Sequence, residues 1–293
     1  MIQAFETYLA TERRYSPHTV SNYLNDLIQF EAFLAQHYSI TTDVAQASML
    51  RTWVSDMVEH NYASTSVHRK ISTLRAYFTF LQKRQIRADN PARSLPRPKK
   101  KQQLPTFIEE SAMERFQFDT KSVDFEERTA RLVVRLLYET GMRQAELLGV
   151  SDASIDRRLG QIKVVGKREK THFIPLSREI LAEIDDYVDE RKKLFGETNS
   201  GTILVTGTNK KITKSFVYKI VRLYLSEVTT AKKRSPHVLR HTFATHMLNN
   251  GADLNVIKEL LGHSSLAATQ VYTHNNIEKL KQVHEQLHPR NRS

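Results

Sequence analysis

Apolar residues recur at helical spacing through the first eighty or so positions, with no run of strand-like alternation. Residues 2–13 make one amphipathic stretch. Ser16-Pro17 then marks a helix start, because a serine hydroxyl can cap free amides and proline needs no amide partner at the first helical position. Val20, Leu24, Leu27, Phe30 and Leu34 line one side of this second helix. A third is predicted over 47–59 around Leu50, Trp53, Val54 and Met57, and a fourth over 65–83 around Val67, Ile71, Leu74, Phe78 and Leu81. Four helices with short connections suggest a compact bundle. His18, Thr19, Ser21 and Asn22 fall outside the stripe of the second helix, and Arg69, Lys70, Thr73 and Arg75 outside that of the fourth. Such groups suit helices laid on DNA, and an ordinary solvated face is the equal alternative for any one of them.

The pattern breaks at 89–106. Asn90–Pro105 holds four of the chain's eight prolines, which block helix and favour a stiff, extended connector; Arg97, Lys99, Lys100 and Lys101 make it cationic. Such a segment could follow a phosphate backbone or serve only as a soluble linker.

Helical periodicity resumes at 109–116 and 125–139, where Ala130, Leu132, Val133, Leu136 and Leu137 are apolar, and Gly141 should end that helix. Arg143 opens a short helix over 144–148. Strand signals are confined to 161–165 and 171–176, with a smaller apolar run at 203–205, and further helices are expected over 178–194 and 214–229. The expected fold is mainly α with two domains, 1–88 and 107–293, the second carrying a small antiparallel sheet.

The richest chemistry lies between Ser235 and Tyr272. Pro236 can open a helix that sets His237 and Arg240 three apart on one face, with Leu239, Phe243 and Met247 on another. Asn249-Asn250-Gly251 closes it, and Asp253 caps a second helix around Leu254, Ile257, Leu260 and Leu261. That helix stops at Gly262, with His263 at its end and Tyr272 nine residues on. An arginine, two histidines and a tyrosine suit in-line attack of a phenol on a phosphodiester. A guanidinium fork neutralises the charge on the non-bridging oxygens, and a phenol of pKa about 10 needs a base or cation nearby to react. Such a site wants a second arginine and a general acid. Taken alone, Arg143 reads as a surface residue after a helix cap, Lys167 as a hairpin-tip charge and Tyr272 as one of eleven tyrosines. His237 and His241 are four apart, a spacing found in zinc helices, but no glutamate follows the first and the chain has no cysteine, so no metal site is expected. His241 and His246 read as packing or hydrogen-bonding histidines. Glu146, one turn after Arg143, reads as an orienting group.

The motifs H-V-L-R-H-T-F-A-T-H, L-L-G-H-S-S and T-Q-V-Y-T-H resemble the C-terminal signature of tyrosine recombinases. Y-E-T-G-M-R-Q-A-E-L-L is similar to that family's first-arginine motif, and V-V-G-K-R-E-K-T-H-F-I-P-L to its lysine hairpin. The resemblance spans essentially the whole chain and implies a catalytic set of Arg143, Lys167, His237, Arg240, His263 and Tyr272. Size and layout resemble the Xer-type members most. The hairpin departs from the pattern: Gly166-Lys167-Arg168 stands where Gly-Lys-Gly is frequent, and His172 where arginine is common.

The resemblance further implies a SAM-like core-binding domain at 1–88, a catalytic domain at 107–293, a 3′-phosphotyrosyl intermediate and strand exchange through a Holliday junction. Its partners would be double-stranded DNA with inverted half-sites, a homo- or hetero-tetramer with a second recombinase, and an accessory activator. No cofactor, metal or ATP is implied, since a phosphotyrosyl bond conserves the energy of the phosphodiester. Resolution of chromosome dimers at cell division is the expected role, favoured by a chain that starts directly at the four-helix domain. An integrase or resolvase of a mobile element is the alternative. Beyond Tyr272, Ile277, Leu280, Val283 and Leu287 form an apolar seam too thin to fold alone. It is expected to pass to a neighbouring protomer, with docking on its own domain as the alternative.

Composition adds a sign to this picture. Forty-four basic against 32 acidic residues give a net charge of +12 over 293 residues, which favours a polyanionic partner. The absence of cysteine, of a charged-then-apolar leader and of any apolar run near membrane-spanning length predicts a soluble, cytoplasmic protein. A helical DNA-binding regulator would need no tyrosine nucleophile, and a DNA-relaxing enzyme of the same chemistry would rejoin the strand it cut.

Overall fold

The computed structural model describes residues 1–98, 106–114, 124–166, 171–196, 201–262, 283–284 and 286–289. The chain divides into two compact units, 1–103 and 104–293.

In the first unit, α1 (Ile2–Thr7) runs into a π-helical turn over Tyr8–Glu12, which buries Phe5, Tyr8 and Leu9. Next come α2 (Pro17–Tyr38), α3 (Ala47–Glu59) and α4 (Ser64–Lys83). The Ser16 hydroxyl caps α2 by accepting from the Thr19 amide. Leu27, Phe30, Leu34, Leu50, Ile71, Leu74, Phe78 and Leu81 are fully buried in the shared core, and Trp53 nearly so.

Two residues expected on the outer face of α4 are inside. Lys70 is 3% and Thr73 0% exposed. The cause is Asp26 of α2, a carboxylate at 1% exposure: Oδ1 accepts from Lys70 Nζ (3.0 Å), and Oδ2 from Thr73 Oγ1 (3.0 Å) and Arg69 Nη1 (2.5 Å). Gln29 accepts a further bond from Lys70, whose ammonium lies 5.4 Å from the centre of the Trp53 ring. A buried charge persists only when it is paired and hydrogen-bonded, and α2 and α4 supply each other's partners.

Arg75 faces the proline-rich run. Its Nε donates to the Ala92 oxygen (3.0 Å) and its Nη2 to the Leu95 oxygen (2.8 Å). His68 Nε2 donates to the Pro98 oxygen at 2.6 Å. Ala92 and Leu95 join the bundle's core, so the run is packed on α4 as far as Pro98.

The second unit is built around α6 (Phe125–Thr140), capped by Asp124 and buried almost all round. A short α5 (Glu110–Glu114) precedes it, and α7 (Gln144–Leu147) follows. Strands β1 (Ile155–Asp156), β2 (Gln161–Val165) and β3 (Thr171–Pro175) form an antiparallel sheet in that order, with Ile162 opposite Ile174 and Val165 opposite Thr171. Helices α8 (Arg178–Phe195), α9 (Lys214–Val228) and α10 (Pro236–Asn249) pack against α6 or one another, and α11 (Leu254–Leu260) lies against α10 and β3. The 203–205 run is buried and, among the described residues, makes one isolated bridge, Val205 with Lys211, while the Ile203 amide donates to the Val150 oxygen at 3.0 Å. Side chains of α8 take much of the rest of its backbone. Arg191 Nη1 donates to the Thr202 and Ile203 oxygens, and the Val205 amide donates to Tyr187 Oη.

Near the C-terminus, Val283 and Leu287 pack on the cluster of Phe243, Met247 and Leu261, and His284 Nε2 donates to the Glu139 oxygen at 2.7 Å. These residues dock on their own unit; Ile277 and Leu280 lie outside the described residues. No helix among the described residues is long and apolar enough to cross a membrane.

Candidate active site

Where α6 ends, Gly141 takes φ +62°, and a Cβ there would sit 2.5 Å from Phe243 and 2.8 Å from Leu261. Only glycine meets both demands, so α10 and the end of α11 press directly on this turn. Two residues on, Arg143 is the N-cap of α7. Glu146 fixes it twice: Oε2 accepts from the Arg143 amide (2.7 Å) and Oε1 from Arg143 Nη1 (2.6 Å). The Glu146 side chain is 1% exposed and that of Arg143 33%, so a buried carboxylate aims a guanidinium that still reaches solvent.

Arg240 comes from α10. Its Nη1 donates to the Gly141 oxygen (2.8 Å) and its Nη2 to the Leu261 oxygen (2.6 Å), tying the last turns of α6 and α11 to one guanidinium. Burial, and then the like charge of Arg143, push its pKa down to about 10, opposed by Glu146. It is still cationic at neutral pH. Arg143 and Arg240 thus lie close enough for their like charges to act on each other, with the buried Glu146 carboxylate in electrostatic reach of both, a grouping that suits an anion.

His237 is exposed on the same helix. Lys167, His263 and Tyr272 lie outside the described residues, although the neighbours of two of them are in view. Lys167 follows the β2 end of the Val165–Thr171 pair. Gly262, immediately before His263, lies against the His172 ring, which a Cβ at Gly262 would meet at 2.7 Å. The histidine that departs from the family pattern is thus buried beside the residue that precedes His263, as the inner position of 172 on β3 implies.

His246 sits 2% exposed, its Nδ1 accepting from Tyr138 Oη (3.0 Å) and its Nε2 donating to the Ile108 oxygen (2.7 Å). Burial holds it below its ordinary value of 6.5, although the Ile108 oxygen, Glu110 and Glu109 pull the other way. Under pH 6.5 the unfolded chain therefore binds a proton that the native one resists, and native stability falls as the pH drops. Denaturant titrations should show a loss of up to about 1.4 kcal/mol per pH unit from this group, and His246→Gln should flatten the profile. Equal slopes for the two chains would mean that His246 titrates normally.

Residues 102–279 match the model of the phage integrase family, and residues 2–85 that of the phage integrase N-terminal SAM-like domain. A tyrosine recombinase XerC of Halalkalibacterium halodurans is 34% identical over 295 residues, covering 99% of this chain and 97% of the relative. The chain is a Xer-type tyrosine recombinase of the phage integrase family. A tyrosine recombinase XerD of Shewanella oneidensis is likewise 34% identical, over 99% of this chain and 97% of its own. Among solved structures, the XerH site-specific recombinase bound to difH substrate aligns with a TM-score of 0.69 at 21% identity, covering 96% of this chain and 83% of that one. A lambda integrase tetramer bound to a Holliday junction aligns at 0.66 and 17%, covering 92% and 79%. The two-unit helical fold of this recombinase is therefore that of its family, and its activity is site-specific recombination of DNA.

Proposed function

We propose that this recombinase cuts and rejoins DNA at paired inverted half-sites through a 3′-phosphotyrosyl intermediate, and that it resolves chromosome dimers at cell division. The oxygen of Tyr272 attacks the scissile phosphorus as the bond to the 5′-oxygen breaks. Lys167 supplies the proton that this leaving oxygen takes up, and His237 and His263 assist loss of the phenol's proton or bond the phosphate. Arg143 and Arg240 hold the non-bridging oxygens, where negative charge builds up. A 5′-hydroxyl from the partner duplex then attacks the phosphotyrosine and releases Tyr272, passing through a Holliday junction in a tetramer of this chain, alone or with a second recombinase and an activator. One phosphodiester is exchanged for another, so no nucleotide is consumed.

The observation that carries the reading is the arginine pair, presented from the start of α7 and from α10, with the buried Glu146 carboxylate in electrostatic reach of both. Likeness to Xer recombinases over nearly the whole chain supports the chromosomal role. The direct test offers nicked suicide duplexes bearing candidate chromosomal sites and looks for a covalent adduct on a denaturing gel. A stable adduct whose tryptic peptide contains Tyr272 supports the mechanism; adduct at another residue, or none at any bound site, rejects it.

Arg143→Lys and Arg240→Lys should each slow cleavage by on the order of 10²-fold or more although charge is kept, because an ammonium cannot reproduce the two-donor fork. Single-turnover cleavage rates check this. Near-normal rates in both variants would make the arginines structural.

A further inference from the structure

Two separate elements grip the turn that ends α11, just ahead of His263. From α10, Arg240 Nη2 donates to the Leu261 oxygen at 2.6 Å. From β3, the His172 ring closes on Gly262: an added Cβ there would lie 2.7 Å from Cε1 and 2.9 Å from both Nδ1 and Nε2. Three consecutive ring atoms at nearly one distance mean that the flat face of the imidazole, rather than its edge, covers the glycine. Only a residue without a Cβ, at a φ of +61°, admits a ring so close to its backbone. The ring is itself seated, since His172 is 4% exposed and stands opposite Val164 of β2, which is 3% exposed. Residue 172 also departs from the family pattern, in which arginine is common at this place.

The amides of the turn are spent within α11, Leu261 donating to the Ile257 oxygen (3.0 Å) and Gly262 to the Glu259 oxygen (2.9 Å). Such bonds set the local shape of a helix end and leave its place in the domain to outside contacts. The Leu261 side chain packs with Phe243 and Met247. Gly262 has no side chain, and the atoms nearest its bare face all belong to His172. A carbonyl aims a guanidinium only as well as its own position is fixed. Resting on the cleavage reading above, we propose that His172 is a positioning residue: its ring fixes Gly262, which holds the Leu261 oxygen on Arg240 and sets where the chain enters His263.

The test compares the full-length parent with three variants at a temperature below the lowest of their melting points. His172→Phe keeps a flat ring and loses both nitrogens, whereas His172→Leu and His172→Gln fill similar space without a ring. Each chain is read by hydrogen exchange of peptides spanning 254–262 without DNA, by affinity for the nicked suicide duplex, and by the single-turnover rate of Tyr272 adduct formation. Both ringless variants should exchange about 10-fold faster at 261–262 and form adduct up to about 100-fold more slowly, with affinity unchanged. His172→Phe should match the parent in all three. A lower melting temperature with parental exchange and rate would make His172 an ordinary core residue and overturn the proposal. Equal slowing in all three variants would place the effect in the ring nitrogens and overturn it as well. A parent that binds DNA yet forms no Tyr272 adduct rejects the cleavage reading and the positioning role with it. A normal parent adduct beside unslowed ringless variants rejects the positioning role alone.

Discussion

Tyr272→Phe should bind DNA with the parent's affinity and salt dependence and form no covalent adduct. The substitution deletes one oxygen, the atom proposed to bond to phosphorus, so cleavage should fall to the uncatalysed background. Affinity should not follow, because the slope of log affinity against log salt counts neutralised phosphates, and the cations that neutralise them are all retained. Electrophoresis under native conditions, followed by a denaturing gel of the same reaction, reads both properties. Persistent adduct would move the nucleophile to another residue, and a changed salt slope would show that the phenol contributes to ground-state binding.

Asp26→Ala should destabilise the N-terminal bundle by about 3–5 kcal/mol, because the lysine left behind becomes an uncompensated charge in the core. Lys70 is 3% exposed, packed beside Trp53, and cannot reach solvent without unpacking α4. Over a unit of this size such a loss lowers the melting temperature by on the order of 12 °C or more. The loss should come from the orphaned lysine more than from the missing carboxylate. Asp26→Leu combined with Lys70→Met should therefore recover most of it, as apolar replacement of a buried pair commonly does. Denaturant midpoints for the single and double variants decide the matter: equal destabilisation in both would mean that the pair itself, rather than its disruption, carries the stability.

The same network shows where periodicity along one helix stops being informative. Helices α3 and α4 have almost the bounds that their apolar spacing predicts, and Ser16, Gly141 and Asp253 start or stop their helices as their chemistry requires. Lys70 and Thr73 were expected outside because charge and hydroxyl count as polar in a one-helix pattern. What buries them is a carboxylate over forty residues away, a pairing that no local pattern encodes. Strand β1 has only two residues, too few to display a period, and the 203–205 run is apolar and buried, but its backbone bonds Tyr187, Arg191 and the Val150 oxygen in place of a strand partner. At the proposed site, the orienting role of Glu146 is legible through its spacing from Arg143. The Gly141 and Leu261 partners of Arg240 are not legible, being main-chain oxygens that every residue possesses.

That choice of partners bears on how the enzyme tolerates mutation. An arginine anchored by carbonyls cannot be set loose by exchanging the side chains it touches, so drift at positions 141 and 261 is filtered by backbone shape alone. At 261 many apolar residues would preserve the carbonyl. At 141 the left-handed turn and the closeness of Phe243 leave glycine as the only residue that fits, and a replacement there would displace a guanidinium it never contacts through a side chain. Inactive alleles that retain every chemical group of the site should therefore concentrate at this one glycine.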